Sequence, residues 1–437
     1  MERADVIIVG AGISGLIVAR KLSREGKRVI LLEARDRIGG RIHTVHSEVI
    51  NEYVECGAEF IHGDLPNTIE LLKEYGISYS LIPGDVFRFK NGSLLSSPNI
   101  ITTDKKALTK RLSELKTDMP LKDFLSLYFE GPEYESLRTD VKQFAEGYDS
   151  ADIEFASTFA FRDEWAQVSE WKQYRIDEGY GALAEALALD CRNNGCVLHL
   201  SSPVNTVRWN PHNVQVTTST GEAFQASAIV ITCPLNVLKS GAIHFTPALT
   251  RKHTALNKLQ MGNVIKIQLF LREEFWKRES VQQHLQRDLS KMSFLLSDAV
   301  IPTWWTQYPK QAGQLTGWLP GPKAVRFSHA TDEEILRECV RSLSYIFGES
   351  EEDLRALIGR YSIHNWVRDQ YTLGAYHYTT VDSDYYAHLA GQEVDHTIYF
   401  AGEAYGAENG AGLVEAAITS ALRTANLVLP RLDQNVA

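Results

Sequence analysis

Residues 5–15 constrain this chain more than any other stretch. Val6 to Val9 closes a continuous apolar run over residues 5–9, the pattern of a strand buried on both faces. Gly10-Ala11-Gly12-Ile13-Ser14-Gly15 follows at once, and then Leu16, Ala19 and Leu22 recur at helical spacing until Gly26. A second apolar run, Val29 to Leu32, ends in Glu33. The order is strand, glycine turn, helix, strand, acid, which is the opening of a dinucleotide-binding βαβ unit. Gly10 permits the tight turn, Gly12 lets backbone approach a pyrophosphate, and Gly15 lets the helix pack close to the strand. The free N–H groups of the helix start attract phosphate. Glu33 is placed to accept hydrogen bonds from ribose hydroxyls and to repel a 2′-phosphate, which disfavours NADP. Directly after it, Arg35-Asp36-Arg37-Ile38-Gly39-Gly40-Arg41 offers approachable backbone at Gly40 and a charged fork at Arg41 for a second phosphate contact.

Two later segments read as parts of the same fold. Gly179-Tyr180-Gly181 precedes an alanine- and leucine-rich helix from Ala182 to about Arg192. Strands are expected at Val197–Leu200, from Val204, and over 214–218 and 228–232, so a β-rich insertion returns the chain to the nucleotide sheet. Near the C-terminus Thr397 to Ala401 reads as a buried strand ending in Gly402-Glu403. A glycine-rich loop, Gly406 to Gly412, leads to a helix from about Leu413 to Leu429, whose N-terminus again favours an electron-rich group. The stretches 80–180 and 265–385 differ: they hold amphipathic helices and aromatic clusters, with a capping box at Thr331/Glu334 and a weaker version at Ser350/Asp353. The expected fold is therefore α/β. Residues 1–80, 181–264 and 390–437 form a discontinuous Rossmann-like domain, and 81–180 and 265–389 an α+β substrate-binding domain.

The formal net charge of -10 disfavours a nucleic-acid backbone as partner. No apolar run approaches the ~20 residues of a membrane span. With a strand beginning by Val6 there is no room for a signal peptide before it, so a cytoplasmic location is expected. The 5 cysteines are scattered and lack CxxC spacing. Reduced buried thiols are expected, rather than a disulfide framework or a zinc site, and no metal is assigned.

Four blocks together resemble the flavin-containing amine oxidases, the family that includes monoamine oxidases, polyamine oxidases and lysine-specific histone demethylases. They are Val6 to Thr44, Gly57-Ala58-Glu59-Phe60-Ile61-His62-Gly63, Met261-Gly262-Asn263-Val264-Ile265-Lys266-Ile267, and Tyr399 to Ala425. The resemblance covers the chain in order and implies an FAD-dependent oxidase. It places Gly10, Gly12, Gly15, Arg35, Gly40 and Arg41 at the pyrophosphate, Glu33 at the ribose and the Val204 backbone at the adenine. Gly402 and Glu403 would lie by the pyrophosphate and ribityl chain, Leu413 and the Val414 N–H at the flavin edge, with Gly57, Ala58, Glu59 and Trp366 beside the ring. Lys266 matches the family lysine that holds a water near flavin N5, where a fixed cation stabilises charge as electrons pass to O2. Tyr376 matches one of two aromatic residues that flank the amine. The second position carries Leu413, so half of the aromatic cage is missing, and a bulkier or differently held amine is implied. Ala375 stands where monoamine oxidases attach flavin covalently, so FAD is expected to be non-covalent.

Glu59 and His62 are candidates for reading a cationic substrate. Glu146, Asp149, Asp152 and Glu154, interleaved with Phe144, Tyr148 and Phe155, could form an acidic aromatic funnel, and Trp304 and Trp305 could line the cavity. The expected partners are a polyamine or monoamine and O2. An L-amino-acid oxidase on the same scaffold would need an arginine for the carboxylate, with Arg88 and Arg162 as candidates. A FAD-binding regulatory protein with little turnover is the reading from another class.

Overall fold

The computed structural model describes all residues except 49, 97–100, 102, 168–171, 406–411 and 435–437. The apolar runs found in the sequence assemble into one five-stranded sheet. Its order is Val197–His199, Val29–Leu32, Val6–Val9, Ala228–Ile231, Ile398–Phe400, and every pairing is parallel. Side chains alternate across a strand, so each run is divided between two cores. Val6, Ile8, Val29, Leu31 and Val230 face one side, and Ile7, Val9, Ile30, Leu32 and Ile231 face the other. This is why the three inner strands, Val29–Leu32, Val6–Val9 and Ala228–Ile231, carry no polar residue: neither face meets water. Each such side chain contributes about 1.5–3 kcal/mol of burial, so a charge in any of them breaks two layers at once.

Helices cover the first face. Ile13–Arg24 packs against Gly181–Asn193 and Val414–Gln434, the last running 5 residues beyond the expected Leu429 end. A second five-stranded sheet covers the other face, with order Glu2–Arg3, Ala223–Ala226, Asn213–Thr218, Val204–Asn210, His244–Thr246. The sheet of the nucleotide fold is thus the middle layer of three.

The remainder is built on a seven-stranded sheet, in the order Ile358–Asn365, Val264–Leu271, Gln314–Pro320, Thr303–Thr306, Met292–Ser297, Asp85–Lys90, Ser93–Ser96. One face buries Ile265, Ile267 and Leu269 against the helix Asp332–Phe347. The Thr331 capping box opens that helix, with Thr331 accepting from the Glu334 N–H and Glu334 from the Thr331 N–H, and Gly348 ends it at φ 72°. Ser350 accepts from the Asp353 N–H and opens the next helix. Helices Leu121–Tyr128, Glu135–Tyr148 and Thr158–Gln167 close over the cavity between the two sheets, with Phe124, Val141, Phe144 and Phe161 in their shared core. Among the described residues no helix is long and apolar enough to cross a membrane, and all five cysteines are free thiols.

Candidate active site

A continuous cavity of about 2010 Å³ runs from the glycine turn to the space beneath those helices. Its first end is a backbone cradle. Gly12 caps the helix Ile13–Arg24 with no side-chain hydrogen bond, and no acid sits in the first turn, so the N–H groups at the helix start face the cavity unopposed. Gly15 is required by packing: a Cβ there would lie 1.9 Å from the Gly10 carbonyl oxygen. Gly40, at φ 61°, brings the second glycine turn against Gly12, where a Cβ would lie 3.3 Å from the Gly12 Cα. Glu33 is buried, and its carboxylate accepts the Ala11 N–H at 2.7 Å and the Arg35 N–H at 2.9 Å. These bonds fix the acid at the strand end, beside the cradle. Val204 lines the same wall at an irregularity in its strand pairing.

The two arginines expected to meet phosphate both line the cavity, and both are held by carboxylates. Arg35 pairs with Asp369 at 2.5 Å and bonds the Thr372 hydroxyl at 3.0 Å. Arg41 pairs with Glu403 at 2.7 Å and donates to the Ala375 carbonyl at 2.6 Å. Asp369 was not singled out in the sequence, because 334 residues separate it from Arg35.

Midway along the cavity sits Lys266. Val264–Leu271 alternates its side chains so that Ile265 and Ile267 enter the core while Lys266 and Gln268 face the other way. Lys266 is 1% exposed. Its Nζ donates to the Gly57 carbonyl at 3.0 Å and to Glu59 Oε2 at 2.7 Å, and stands 5.3 Å from the Trp305 ring centroid. Glu59 is the hub of this arrangement. It also accepts from Arg175 Nε at 3.0 Å, Trp305 Nε1 at 3.0 Å and Gln307 Nε2 at 3.3 Å. Burial alone would raise its pKa, but Lys266 and Arg175 hold the carboxyl below its usual range. A carboxylate with four donors has no free lone pair for a substrate cation, so its geometry is that of a positioning residue for Lys266. Gly57, Ala58, Trp366, Gly402, Glu403, Leu413 and Val414 all line the cavity, and the Trp366 Nε1 donates to the Cys56 carbonyl at 3.0 Å.

The closed end is aromatic and acidic. Tyr376 lines it, and its hydroxyl donates to the Tyr148 carbonyl at 2.9 Å and accepts from Ser150 at 3.0 Å, which fixes the ring. His62 lies there too, with its ring edge-on to Tyr148 at 5.9 Å, and burial pushes its pKa down to about 4, leaving a neutral imidazole. Of the four acids considered as a funnel, only Asp149 lines the cavity; Glu154 is turned to Lys122 and Glu146 to Lys142. Its partner is Glu164, which sequence inspection missed. The two buried carboxyls act on each other: burial raises Asp149 to about 6, and burial with the Asp149 charge raises Glu164 well above the carboxylate range. A helix heptad count from residue 149 could not reach Glu164, which sits on a separate helix. Trp305 lines the cavity, whereas Trp304 is fully buried on the opposite face of its strand, packed on Gly317. Arg162 pairs with Asp163 and stacks on Phe159, outside the cavity lining, and Arg88 lines the cavity but is buried against Asp140 at 2.7 Å.

The cavity wall fits a long, polar, flat cofactor. Buried polar atoms of Asn205, His377 and Tyr405 along the wall make no hydrogen bond to protein, which polar groups of a ligand at those points would satisfy. Asn205 adjoins Val204, and His377 and Tyr405 adjoin Glu403 near the glycine turns.

The family model described as flavin containing amine oxidoreductase matches residues 13–429. Among curated proteins, lysine-specific histone demethylase 1B from Mus musculus is 28% identical over 92% of this chain and 50% of its own length. Probable polyamine oxidase 4 from Arabidopsis thaliana is 28% identical over 93% of this chain and 83% of its own. The chain thus spans about half the length of the histone demethylases it matches, but most of the polyamine oxidase. A structure of wild-type putrescine oxidase bound to putrescine shares the fold at TM-score 0.80, with 21% identity over 98% of this chain and 99% of that one.

Proposed function

The chain belongs to the flavin-containing amine oxidoreductases, and from that premise we propose that it oxidises a small amine carrying a second cationic nitrogen, a diamine or polyamine, with O2 as electron acceptor. Bound FAD would supply the two-electron oxidation of the amine, with O2 as the final acceptor giving H2O2, and the imine product would hydrolyse to an aldehyde or ketone. Gly10, Gly12, Glu33, Gly40 and Arg41 would hold its nucleotide half, and the wall from Gly57 to Lys266 its ring. Ala375 offers no sulfur for attachment, so the cofactor is held by contacts alone.

The chain's own residues divide the remaining work. Tyr376, clamped by Tyr148 and Ser150, gives a rigid aromatic wall that excludes water and aims the amine. Lys266, held by Glu59 and the Gly57 carbonyl, supplies a fixed cation in a dry site where it counts for more than in water. Asp149 and Glu164 pair with the second, protonated nitrogen of the substrate, and a proton held on either carboxyl passes to solvent as that ammonium arrives.

One observation carries the substrate reading: the charge left uncommitted at the closed end is acidic. Arg35, Arg41 and Arg88 each face a carboxylate of the protein, so an amino-acid carboxylate finds no free guanidinium there. Asp149 and Glu164, by contrast, form no ion pair among the described residues. The test is anaerobic reduction of the FAD-loaded protein by a panel of amines. Bleaching by putrescine, spermidine or spermine, well ahead of phenylethylamine and L-amino acids, with H2O2 on readmitting air, is the expected result. Bleaching by amino acids alone overturns the substrate class, and no reduction by any compound leaves a flavin-binding protein without turnover.

A further inference from the structure

His43, Cys56 and His364 meet beside Lys266, on the same face of the seven-stranded sheet, and their ligand atoms all lie within 4.8 Å of one another. Two distant parts of the chain bring them there. His43 and Cys56 flank the hairpin of Thr44–Ser47 and Glu52–Glu55, tied by a Cys56 N–H to His43 carbonyl bond of 2.8 Å. His364 is the register partner of Lys266 in the seven-stranded sheet. We propose that this cluster is a binding site for a thiophilic d10 ion, Zn2+ or Cu+.

The donor set is the first argument. One thiol and two imidazoles form a soft, borderline set that suits zinc and copper and not magnesium or calcium. Tetrahedral bonds of about 2.0–2.3 Å put ligand atoms about 3.3–3.8 Å apart, so a separation of at most 4.8 Å leaves about 1–1.5 Å to close. The second argument is that the ligands are uncommitted. Among the described residues neither ring nitrogen of His43 makes a hydrogen bond, and Cys56 has only a 3.9 Å contact to the Val54 carbonyl. The Ser362 hydroxyl, 2.7 Å from His364 Nε2, orients that ring as outer-shell partners of metal-bound imidazoles do.

The charges around the cluster select among ions. Arg35 and Arg37 face His43, and Arg37 and Lys266 face His364 and Cys56, against Glu55, Glu59, Asp332 and Asp369. A hard cation held by charge alone gains nothing in this balance. A thiophilic ion gains from the covalent metal–sulfur bond: Cys56 Sγ gives its proton to solvent and the sulfur lone pair to the metal, with no change of oxidation state. His43 also borders a small cavity of about 260 Å³, lined by Asp36 and Glu185 and by Arg37 and Arg192.

The test is isothermal titration of FAD-loaded protein with Zn2+, and the Co2+ difference spectrum at wavelengths where flavin is transparent. One ion per chain and tetrahedral cobalt bands are expected, with C56S and H364Q each weakening Zn2+ by more than about 100-fold, beyond the roughly 10–100-fold of an outer-shell loss. Absence of one-to-one uptake overturns the proposal, as does a loss of less than about tenfold in both variants. Should C56S fail to fold, H364Q and H43Q decide the matter. Because the readout is metal stoichiometry, failure here leaves the amine-oxidase reading untouched, and the reverse holds too.

Discussion

Replacing Lys266 with Met tests the centre of the site, because it removes a charge and keeps the bulk. Lys266 does not act alone: Glu59 lies 2.7 Å away and Arg175 lies 3.0 Å from that same carboxylate, so the three side chains sum to one positive charge at the cavity wall. The variant cancels it. Loss of one preorganised electrostatic group costs about 2.7–4 kcal/mol, or 10²–10³-fold in rate. Glu59 draws part of the field inward, so the lower end, a fall of about 10²-fold, is expected. It should fall on the half-reaction with O2, where negative charge develops. Anaerobic reduction by amine, a hydride transfer between two neutral partners with no net gain of charge, should change by no more than about threefold, ~0.7 kcal/mol. Removing one member of a buried ion pair costs roughly 3–5 kcal/mol of stability. Here Glu59 keeps Arg175, Trp305 and Gln307 as donors, so the folded yellow protein should still be obtained. Stopped-flow absorbance of the flavin, first anaerobic with substrate and then with O2, separates the two steps. Equal slowing of both would refute the role given to Lys266.

Asp149→Asn should weaken a diamine by about 10–100-fold, the worth of a hydrogen bond to a charged group, and leave a monoamine nearly unchanged, as steady-state KM values would show. Gly15→Ala should cost at least about 1–3 kcal/mol through overpacking, since its Cβ meets the Gly10 carbonyl at 1.9 Å, and should give protein purified without FAD; a fully yellow variant would contradict the cradle. Burial raises Glu55 from 4.5 to about 7, so its protonated form is the one the fold prefers. That stability is complete below the unfolded value and is lost as pH rises through about 7, by at most roughly 3 kcal/mol. Thermal melts of Glu55→Gln should be flatter than wild type between about pH 5 and about 8. Unfolding in guanidinium followed by filtration should release all of the flavin; colour retained on the chain would mean a covalent link.

The nucleotide half was legible because its signals are contiguous. A buried strand, three spaced glycines and an acid lie within residues 6–33, and local sterics alone assign each a role. The closed end was legible only in part, because its geometry is set by contacts between distant segments. Strand parity decides that Trp305 meets the cavity and Trp304 the core, and which parity holds depends on a partner strand far along the chain. Glu59 reads in sequence as a loop acid, yet its donors lie 116 to 248 residues away, and only their convergence turns it from a substrate reader into the anchor of Lys266. Glu164 and the cluster at Cys56 carry no spacing signal, since each is completed from another element of the chain. Arg88 and Arg162 could be excluded as carboxylate readers only once their acidic neighbours were in view.

The parallel middle sheet has a consequence for how the protein is made. Its central strand, Val6–Val9, leaves the ribosome well ahead of its edge, Ile398–Phe400, and of the helix Val414–Gln434. At about 5–20 residues per second, the early strand waits on the order of 20–80 seconds for them. A nascent chain therefore cannot complete the middle sheet and its helical cover until those segments have emerged. Two uncovered apolar faces are on display meanwhile, so yield in a host cell should respond to chaperone supply and to temperature more than to flavin supply.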